Sequence, residues 1–500
     1  MLPVSRLLSC WIRWRVYALP VAVLLAFTIP GINQGWPRTD SHRYTALALQ
    51  MIESGEWVYP SLGDLPYFNK PVLTFWIHAA FFRIAGIEPG DFAIWAMRVP
   101  VIVAGIFCVL LTVDLVRRLG AGRRVAMFTG IVLASTLEFF RYTHAFSLDI
   151  WLTMWMLLLA WSTVRASNTE RIFAGDWWRW TVVAGIATGC ALMTKPFMVL
   201  MPIVILALWG LLFRNPRALT TLSIALITGI LLAAPWHIAM ALHWGDAFTR
   251  NYLITESVDR VRGRFEEPSP WYRYLRTLGK WYWPWMIGLA GFFWLLVRQR
   301  VPRTQLHALT LAALWAGIWL VALSLVGDKR GRYIVPIYPF LSIFSAVFLA
   351  YALPVKSRRS GRIPMLWLAP IMLGIGFLLT VLPIHWHKPI TKEWPTITAW
   401  MDENAPGQEL WTIETHNSSG AHPYILRGWT MRLIGPSRFG YGTQPPPNAI
   451  VLFRHATYPL FAELGEPVLK AGPYQLMRLY DQWYWPEGVL ERLSPDEWDE

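Results

Sequence analysis

Residues 97–124 read MRVPVIVAGIFCVLLTVDLVRRLGAGRR. Residues 97–116 form one apolar run, and a helix needs ~20 mostly apolar residues to cross a bilayer. The connection that follows, 117–124, carries four arginines and no acid. An apolar run and then a short basic connection recur along the first 383 residues, and that alternation predicts an α-helical polytopic membrane protein. Similar runs lie near 16–33, 125–143, 148–164, 179–194, 197–213, 218–236, 282–297, 306–327, 333–352 and 363–383, giving about eleven predicted spans.

Composition agrees with this reading. The chain has 500 residues, 55% hydrophobic and only 15% charged, against ~25% charged in ordinary soluble domains. Its mean hydropathy is +0.37. A chain this apolar and this long cannot cover its surface with polar groups, which excludes soluble, disordered and collagen-like classes. The net charge is +14, yet residues 384–500 hold nine Lys/Arg and fourteen Asp/Glu. The basic excess therefore lies between the apolar runs, as membrane topology requires, and no nucleic-acid partner is expected. Cys10, Cys108 and Cys190 lie in or beside apolar runs, with neither disulfide nor zinc spacing.

Orientation follows from counting. With the N-terminus inside, the inner segments 1–15, 117–124, 165–179, 214–217, 298–305 and 353–362 hold nineteen Lys/Arg and two acids, Glu170 and Asp176. That is a strong positive-inside asymmetry. The first run follows Arg6, Arg13 and Arg15 and has no small-residue cleavage site after it, so it reads as a retained span. The outer parts are then a first loop at 34–96, a second long loop at 237–281 and the tail. TALALQMIESG (45–55) and PVLTFWIHAAFFRIAG (71–86) are too short or too amphipathic to span and are expected as helices on the membrane surface. The tail, 384–500, is expected as a small outer α/β domain with strands at 449–453 and 474–480. Tryptophans at span ends, as in WYWPW (281–285), fit interfacial belts.

The chemistry-bearing residues gather on the outer side. Asp40, in RTDSHRYTALALQM, either caps the helix that follows or presents a carboxylate at the membrane surface. Asp149, in HAFSLDIWLTMW, either caps a span or serves a function at a depth where ionisable groups are costly. Glu138 and Arg141, one turn apart, are expected to pair with each other. Lys70 in YFNKPVLTFW and Lys195 in MTKPF either snorkel or meet an anion. Lys329, Arg330 and Arg332 in GDKRGRYIVPIYPF break the positive-inside trend, which points to a functional need. Isolated carboxylates with several cations suit a phosphate-bearing lipid substrate: cations neutralise a departing phosphate, and a carboxylate takes a proton from the nucleophile.

The first loop resembles that of the GT-C glycosyltransferases of the protein O-mannosyltransferase and aminoarabinose transferase family. The matching residues are Asp40-Ser-His-Arg43-Tyr44, then Ser54-Gly55-Glu56-Trp57, then Tyr67-Phe68-Asn69-Lys70-Pro71. LDIWLT around Asp149, MTKPFMVLMP around Lys195, PWHIAMALHWGDAF, PSPWYRYL (268–275) and KRGRYIVPIYPF extend the likeness over roughly residues 10–350. Two positions depart from the pattern: Asn69 stands where the family has Glu, and Ser41 where it has Glu. Only His237 and His243, near the start of the second long loop, could supply its histidine.

The resemblance implies a GT-C fold with a transmembrane catalytic domain over 1–383 and a separate tail domain over 384–500, in a bacterial inner membrane. It implies sugar transfer from a polyprenyl-phosphate sugar donor to an envelope glycolipid, glycan or protein acceptor on the periplasmic face, with no cofactor and no resident metal. Asp40 and Asp149 take the catalytic positions. Arg43, Tyr44, Lys70, Lys195, Lys329, Arg330 and Arg332 take the donor-phosphate positions. Two other readings stay open: a lipid flippase or transporter, which needs charges along a path through the bilayer, and a non-catalytic scaffold.

Reporter fusions after residue 383 check the orientation. The charge count predicts an outer signal there, and a cytoplasmic one reverses it.

Overall fold

The structure is a computed structural model. It describes residues 4–33, 40–62, 65–88, 92–259, 262, 269–327, 329–353, 394–412, 431–433, 444–454, 458–472, 474–481 and 483–484. The expected span at 363–383 lies outside the described residues. Two units are resolved. The first comprises Met1–Ile32, Val101–Ile238 and Ser257–Ile384; the second comprises Asn33–Pro100, Ala239–Glu256 and His385–Glu500.

In the first unit helices dominate: α1 (Val4–Thr28), the greater part of α4 (Ile94–Arg118), α5 (Gly122–Ala134), α6 (Leu137–Thr143), α7 (Leu148–Ser167), α8 (Gly175–Leu192), α9 (Leu200–Leu212) and the first part of α10 (Pro216–Thr249). Helices Met286–Val297, Leu306–Leu325 and Tyr338–Ala352 complete it. Small residues let these helices approach. A Cβ on Gly229 of α10 would stand 2.5 Å from Thr188 Cγ2 and 3.0 Å from the Gly189 backbone of α8. Gly288 and Gly291 give the helix Met286–Val297 the same closeness to Ser345 and Phe348. Tyr282, in the Trp-rich stretch expected at an interface, is instead buried, its hydroxyl 3.0 Å from Ser345 Oγ.

Among the described residues four helices are long and apolar enough to cross a membrane: Ile94–Arg118, Pro216–Ile254, Arg303–Leu325 and Gly331–Ala352. A fifth counts if the pair Gly122–Ala134 and Leu137–Thr143, bent by 63°, is one span. The expected run 125–143 is thus broken. At the break the Ser135 and Thr136 hydroxyls donate to the Ile131 and Val132 carbonyls, 2.6 and 2.7 Å. Such back-bonding competes with the helix ladder and bends helices. The second long loop also differs from expectation. The helix begun at Pro216 runs on to Thr249, turning at Gly245 (φ 53°, ψ −130°), a conformation open to glycine. A π-helical stretch, Arg250–Asp259, follows.

The second unit holds α2 (Ser41–Ser54), a short hairpin of β1 (Ser61–Leu62) and β2 (Leu65–Pro66), and α3 (Leu73–Ala85). α2 buries every residue from Ser41 to Leu49. A helix lying on a bilayer would bury one face only, so α2 is packed inside protein rather than laid on a surface. The tail forms a five-stranded mixed sheet from β3 (Leu410–Thr412), β4 (Met431–Leu433), β5 (Ile450–Arg454), β6 (Gly465–Ala471) and β7 (Tyr474–Leu479), in the order β4-β3-β5-β7-β6. β3 runs parallel to β4 and β5, and β7 antiparallel to β5 and β6. Alternation sorts the two faces. Leu410, Ile450, Leu452 and Leu476 pack with Ile397 and Met401 of the helix Trp394–Asn404. Trp411, Val451, Phe453 and Met477 pack with Phe461 and Trp483 on the other face. Both strands read from the sequence are present, as β5 and β7.

Gly229→Ala should cost ~1–3 kcal/mol by overpacking the α8–α10 crossing. Gly175→Ala, where a Cβ meets nothing within 4 Å, should stay within ~1 kcal/mol. Melting temperatures of the purified variants in detergent check the contrast.

Candidate active site

In the second unit the site is built on the first turn of α2. Asp40 holds the N-cap position, yet its side chain makes no capping hydrogen bond. Its Oδ2 instead accepts from the Tyr44 hydroxyl at 3.1 Å, and its Oδ1 lies 3.7 Å from Arg43 Nη2. The i, i+3 and i+4 spacing puts all three on one helical face. Arg43 is 8% exposed, its guanidinium 6.0 Å from the centre of the Tyr67 ring. Burial works to lower its pKa, but the Asp40 charge, with Tyr67 and Tyr44, outweighs burial and holds it above the usual value. Phe75 of α3 packs against the rings of both Tyr44 and Tyr67, at 5.4 and 5.9 Å.

The β1–β2 hairpin returns the chain so that Tyr67 N–H donates to the Pro60 carbonyl, 2.7 Å. That places Tyr67 through Lys70 just before α3. Lys70 is half-buried, and its Nζ donates to the Asn69 carbonyl at 2.7 Å. Tyr67 was part of the quoted motif but was not singled out as a site residue; here it is the ring facing Arg43. His243 stacks on Tyr59, ring centres 4.1 Å apart.

In the first unit a second cluster forms where α7 begins. Ser147 is the N-cap; its Oγ accepts from the Asp149 N–H at 3.2 Å. Asp149 therefore does not cap. Its carboxylate, 3% exposed as a residue, meets Lys195 Nζ at 2.5 Å and Arg332 Nε at 4.0 Å. Lys195 follows α8 and precedes the 3₁₀ turn Pro196–Val199, and its ammonium lies 5.4 Å from the Tyr333 ring centre. Tyr333 directly follows the basic run and carried no sequence signal beyond that. Glu138 and Arg141 pair at 3.6 Å, as their spacing predicted, and Arg141 also stacks on Trp281 at 4.9 Å. Lys329 is buried and donates to the Val326 carbonyl at 2.7 Å. Arg330 is half-buried beside it.

Asp40, Arg43 and Tyr44 are thus brought together, and so are Asp149, Lys195 and Arg332. Chemically, the first group offers a carboxylate oriented by a phenol and a guanidinium. The second holds one carboxylate against two cations, leaving net positive charge for an anion. Among the described residues no three His, Cys, Asp or Glu side chains stand close enough to share a metal ion.

A family profile described as "Dolichyl-phosphate-mannose-protein mannosyltransferase" matches residues 69–241. Undecaprenyl phosphate-alpha-4-amino-4-deoxy-L-arabinose arabinosyl transferase of Pseudomonas paraeruginosa is 27% identical over 433 residues, 83% of this chain and 73% of that protein. The chain is thus similar to the GT-C glycosyltransferases of the aminoarabinose transferase-like family. The fold of this glycosyltransferase matches the crystal structure of ArnT from Cupriavidus metallidurans bound to undecaprenyl phosphate. The TM-score there is 0.72 at 18% identity, covering 94% of this chain and 98% of the other. It also matches the archaeal oligosaccharyltransferase AglB from Archaeoglobus fulgidus, with TM-score 0.58 at 14% identity, covering 85% of this chain and 64% of that one.

Removing one partner of the buried Asp149–Lys195 pair strands a charge, so Lys195→Met should cost the glycosyltransferase ~3–5 kcal/mol. Adding Asp149→Asn should recover most of that loss. Melting temperatures of the two single variants and the double variant give the coupling; additive losses would mean the pair does not interact.

Proposed function

We propose that this glycosyltransferase moves a sugar from a polyprenyl-phosphate donor to an acceptor in the cell envelope, with Asp40 as the base. The observation that carries the proposal is the Asp40 carboxylate itself. It stands at a helix start without capping it and is held instead by a phenol and a buried guanidinium. The relative's printed name, an undecaprenyl-phosphate aminoarabinose transferase, supports the donor class. The acceptor class is broader: an envelope glycolipid, a glycan or a protein.

In the proposed step the acceptor hydroxyl oxygen attacks the anomeric carbon from the face opposite the phosphate. Its proton passes to Asp40. The bond from the anomeric carbon to the phosphate oxygen breaks, and the electron pair leaves on the polyprenyl phosphate. Configuration at the anomeric carbon inverts. Cations in partly dry surroundings meet the released charge more strongly than in water. Lys70, Arg43 and Tyr44 take this role in the first loop, and Lys329, Arg330 and Arg332 in the later basic run. Lys195 contributes positive charge from its place on Asp149, and Asp149 positions Lys195 and Arg332. For an acceptor that is already an anion, no base is needed, and Asp40 then stabilises positive charge developing on the sugar.

The charge asymmetry supports the placement. With about eleven spans, the 1–383 domain lies in a bacterial inner membrane with its N-terminus cytoplasmic. The loops 34–96 and 237–281 and the 384–500 domain then lie on the periplasmic side.

Asp40→Asn should lower transfer ~10²–10⁴-fold, the usual loss for a general base, with the protein still folded but its melting temperature lowered, because buried Arg43 loses its counter-charge. Lys70→Ala should lower transfer and leave the melting temperature unaltered. The assay is turnover of purified polyprenyl-phosphate sugar in membranes matched for protein level. Wild-type turnover by Asp40→Asn would remove Asp40 from the chemistry.

A further inference from the structure

A second charged cluster lies at the other end of α7. From Asp149 to Arg165 the helix advances about 24 Å at 1.5 Å per residue, close to the ~30 Å hydrocarbon thickness of a bilayer. Here α1, α4, α7 and α8 bring Arg117, Arg118, Arg165 and Arg179 near Asp114, while Asp176 stands exposed in the first turn of α8, three residues before Arg179. The Asp114 carboxylate is already shared. Oδ1 accepts from the Tyr17 hydroxyl at 2.7 Å and lies 3.7 Å from Arg117 Nη1. Oδ2 accepts from Arg118 Nε at 2.7 Å and Trp161 Nε1 at 2.9 Å. Arg117 also donates to the Tyr17 hydroxyl.

Arg165 and Arg179 are held differently. Both guanidiniums lie against the ring of Trp180, at 3.8 and 4.9 Å from its centre, and Arg165 also faces Trp161 at 4.7 Å. Arg118 and Arg179 are near enough to Arg165 to repel it. Among the described residues, Asp114 is the carboxylate that forms ion pairs with this cluster, and it does so through Arg117 and Arg118. Arg117 and Arg118 thus share Asp114, while Arg165 and Arg179 are held against Trp180 instead.

The surface running down from Arg179 is apolar. Trp178, Val182 and Ile186, four residues apart along one face of α8, are 42%, 53% and 47% exposed. Phe173, also exposed, packs against Trp177 and Trp178 of α8. A charged cluster above an apolar helical stripe matches a molecule with an anionic head and an acyl tail. Guanidinium forks suit phosphate oxygens, and basic pockets between spans on the cytoplasmic side take anionic headgroups.

We infer that Arg165 and Arg179, with Arg118 beside them, bind the phosphate of an anionic phospholipid, whose acyl chain lies along Trp178, Val182 and Ile186. The site is separate from the proposed transfer chemistry, at the opposite end of the same helix, and ties the protein to the lipid composition of its membrane.

The test uses the full-length protein in detergent with short-chain phosphatidylglycerol, short-chain phosphatidylcholine or inorganic phosphate. Native mass spectrometry reads lipid retention and thermal melting reads stabilisation. Phosphatidylglycerol should be retained and should raise the melting temperature well beyond phosphatidylcholine. In R165Q/R179Q the apparent Kd for phosphatidylglycerol should rise about tenfold or more, the scale of losing charge-assisted hydrogen bonds. R179Q alone, altering an exposed side chain, should shift Kd the same way and decides the matter if the double variant does not fold. Equal binding of the two lipids by wild type overturns the proposal. So does a phosphatidylglycerol preference unchanged in R179Q. Inorganic phosphate giving the whole stabilisation at equal concentration would assign the site to a soluble anion and overturn the lipid.

Discussion

A charge buried in apolar surroundings must find its counter-charge, and in the first unit that requirement joins parts of the chain far apart in sequence. Asp149 opens α7, Lys195 follows α8, and Arg332 precedes the helix Tyr338–Ala352; all three meet at one carboxylate. Born solvation makes any one of these charges expensive without the others. The pair therefore ties the start of α7 to the end of α8, whose lengths pack against each other. The close α8–α10 contact at Gly229 then carries the constraint to a third helix. The placing of Arg332 and the packing of the helical unit thus depend on one electrostatic demand.

Asp40 illustrates a different use of the same physics. A helix N-terminus welcomes a carboxylate, both as a cap and through the helix dipole. Asp40 occupies that place but spends its oxygens on Tyr44 and Arg43. Because Arg43 is buried and leans on Tyr67, its charge is poorly served by water and held by Asp40 instead. A carboxylate fixed this way has defined oxygens and a nearby phenol and guanidinium, which is what proton transfer at a set position requires.

The membrane class was legible because a bilayer imposes long apolar runs, and four of the described helices are long and apolar enough to cross one. β5 and β7 were legible because a sheet covered on both faces alternates its large apolar residues between two cores. The bend between α5 and α6 was not read, although Ser135 and Thr136 are the residues whose hydroxyls compete for backbone carbonyls. The helical run on from Trp236 to Thr249 was missed because its polar residues look like loop; Gly245 supplies the turn that lets it continue. Asp40 and Lys70 were placed by motif order. Glu138 and Arg141 pair as their spacing predicted, whereas the partner of Asp149, Lys195, was not foreseen. Pairing across 46 residues leaves no local pattern, whereas i, i+3 pairing does.

The two ends of α7 also show why positive charge in this chain carries more than topology. At its start, Lys195 and Arg332 meet the buried Asp149 carboxylate. At its end, Arg165 and Arg179 lie against Trp180, and Arg117 and Arg118 share Asp114. Orientation is set by a count of loop charges and is indifferent to their geometry. Stacking two guanidiniums on one indole gains cation–π attraction but brings like charges together. The anion inferred between their forks relieves that repulsion.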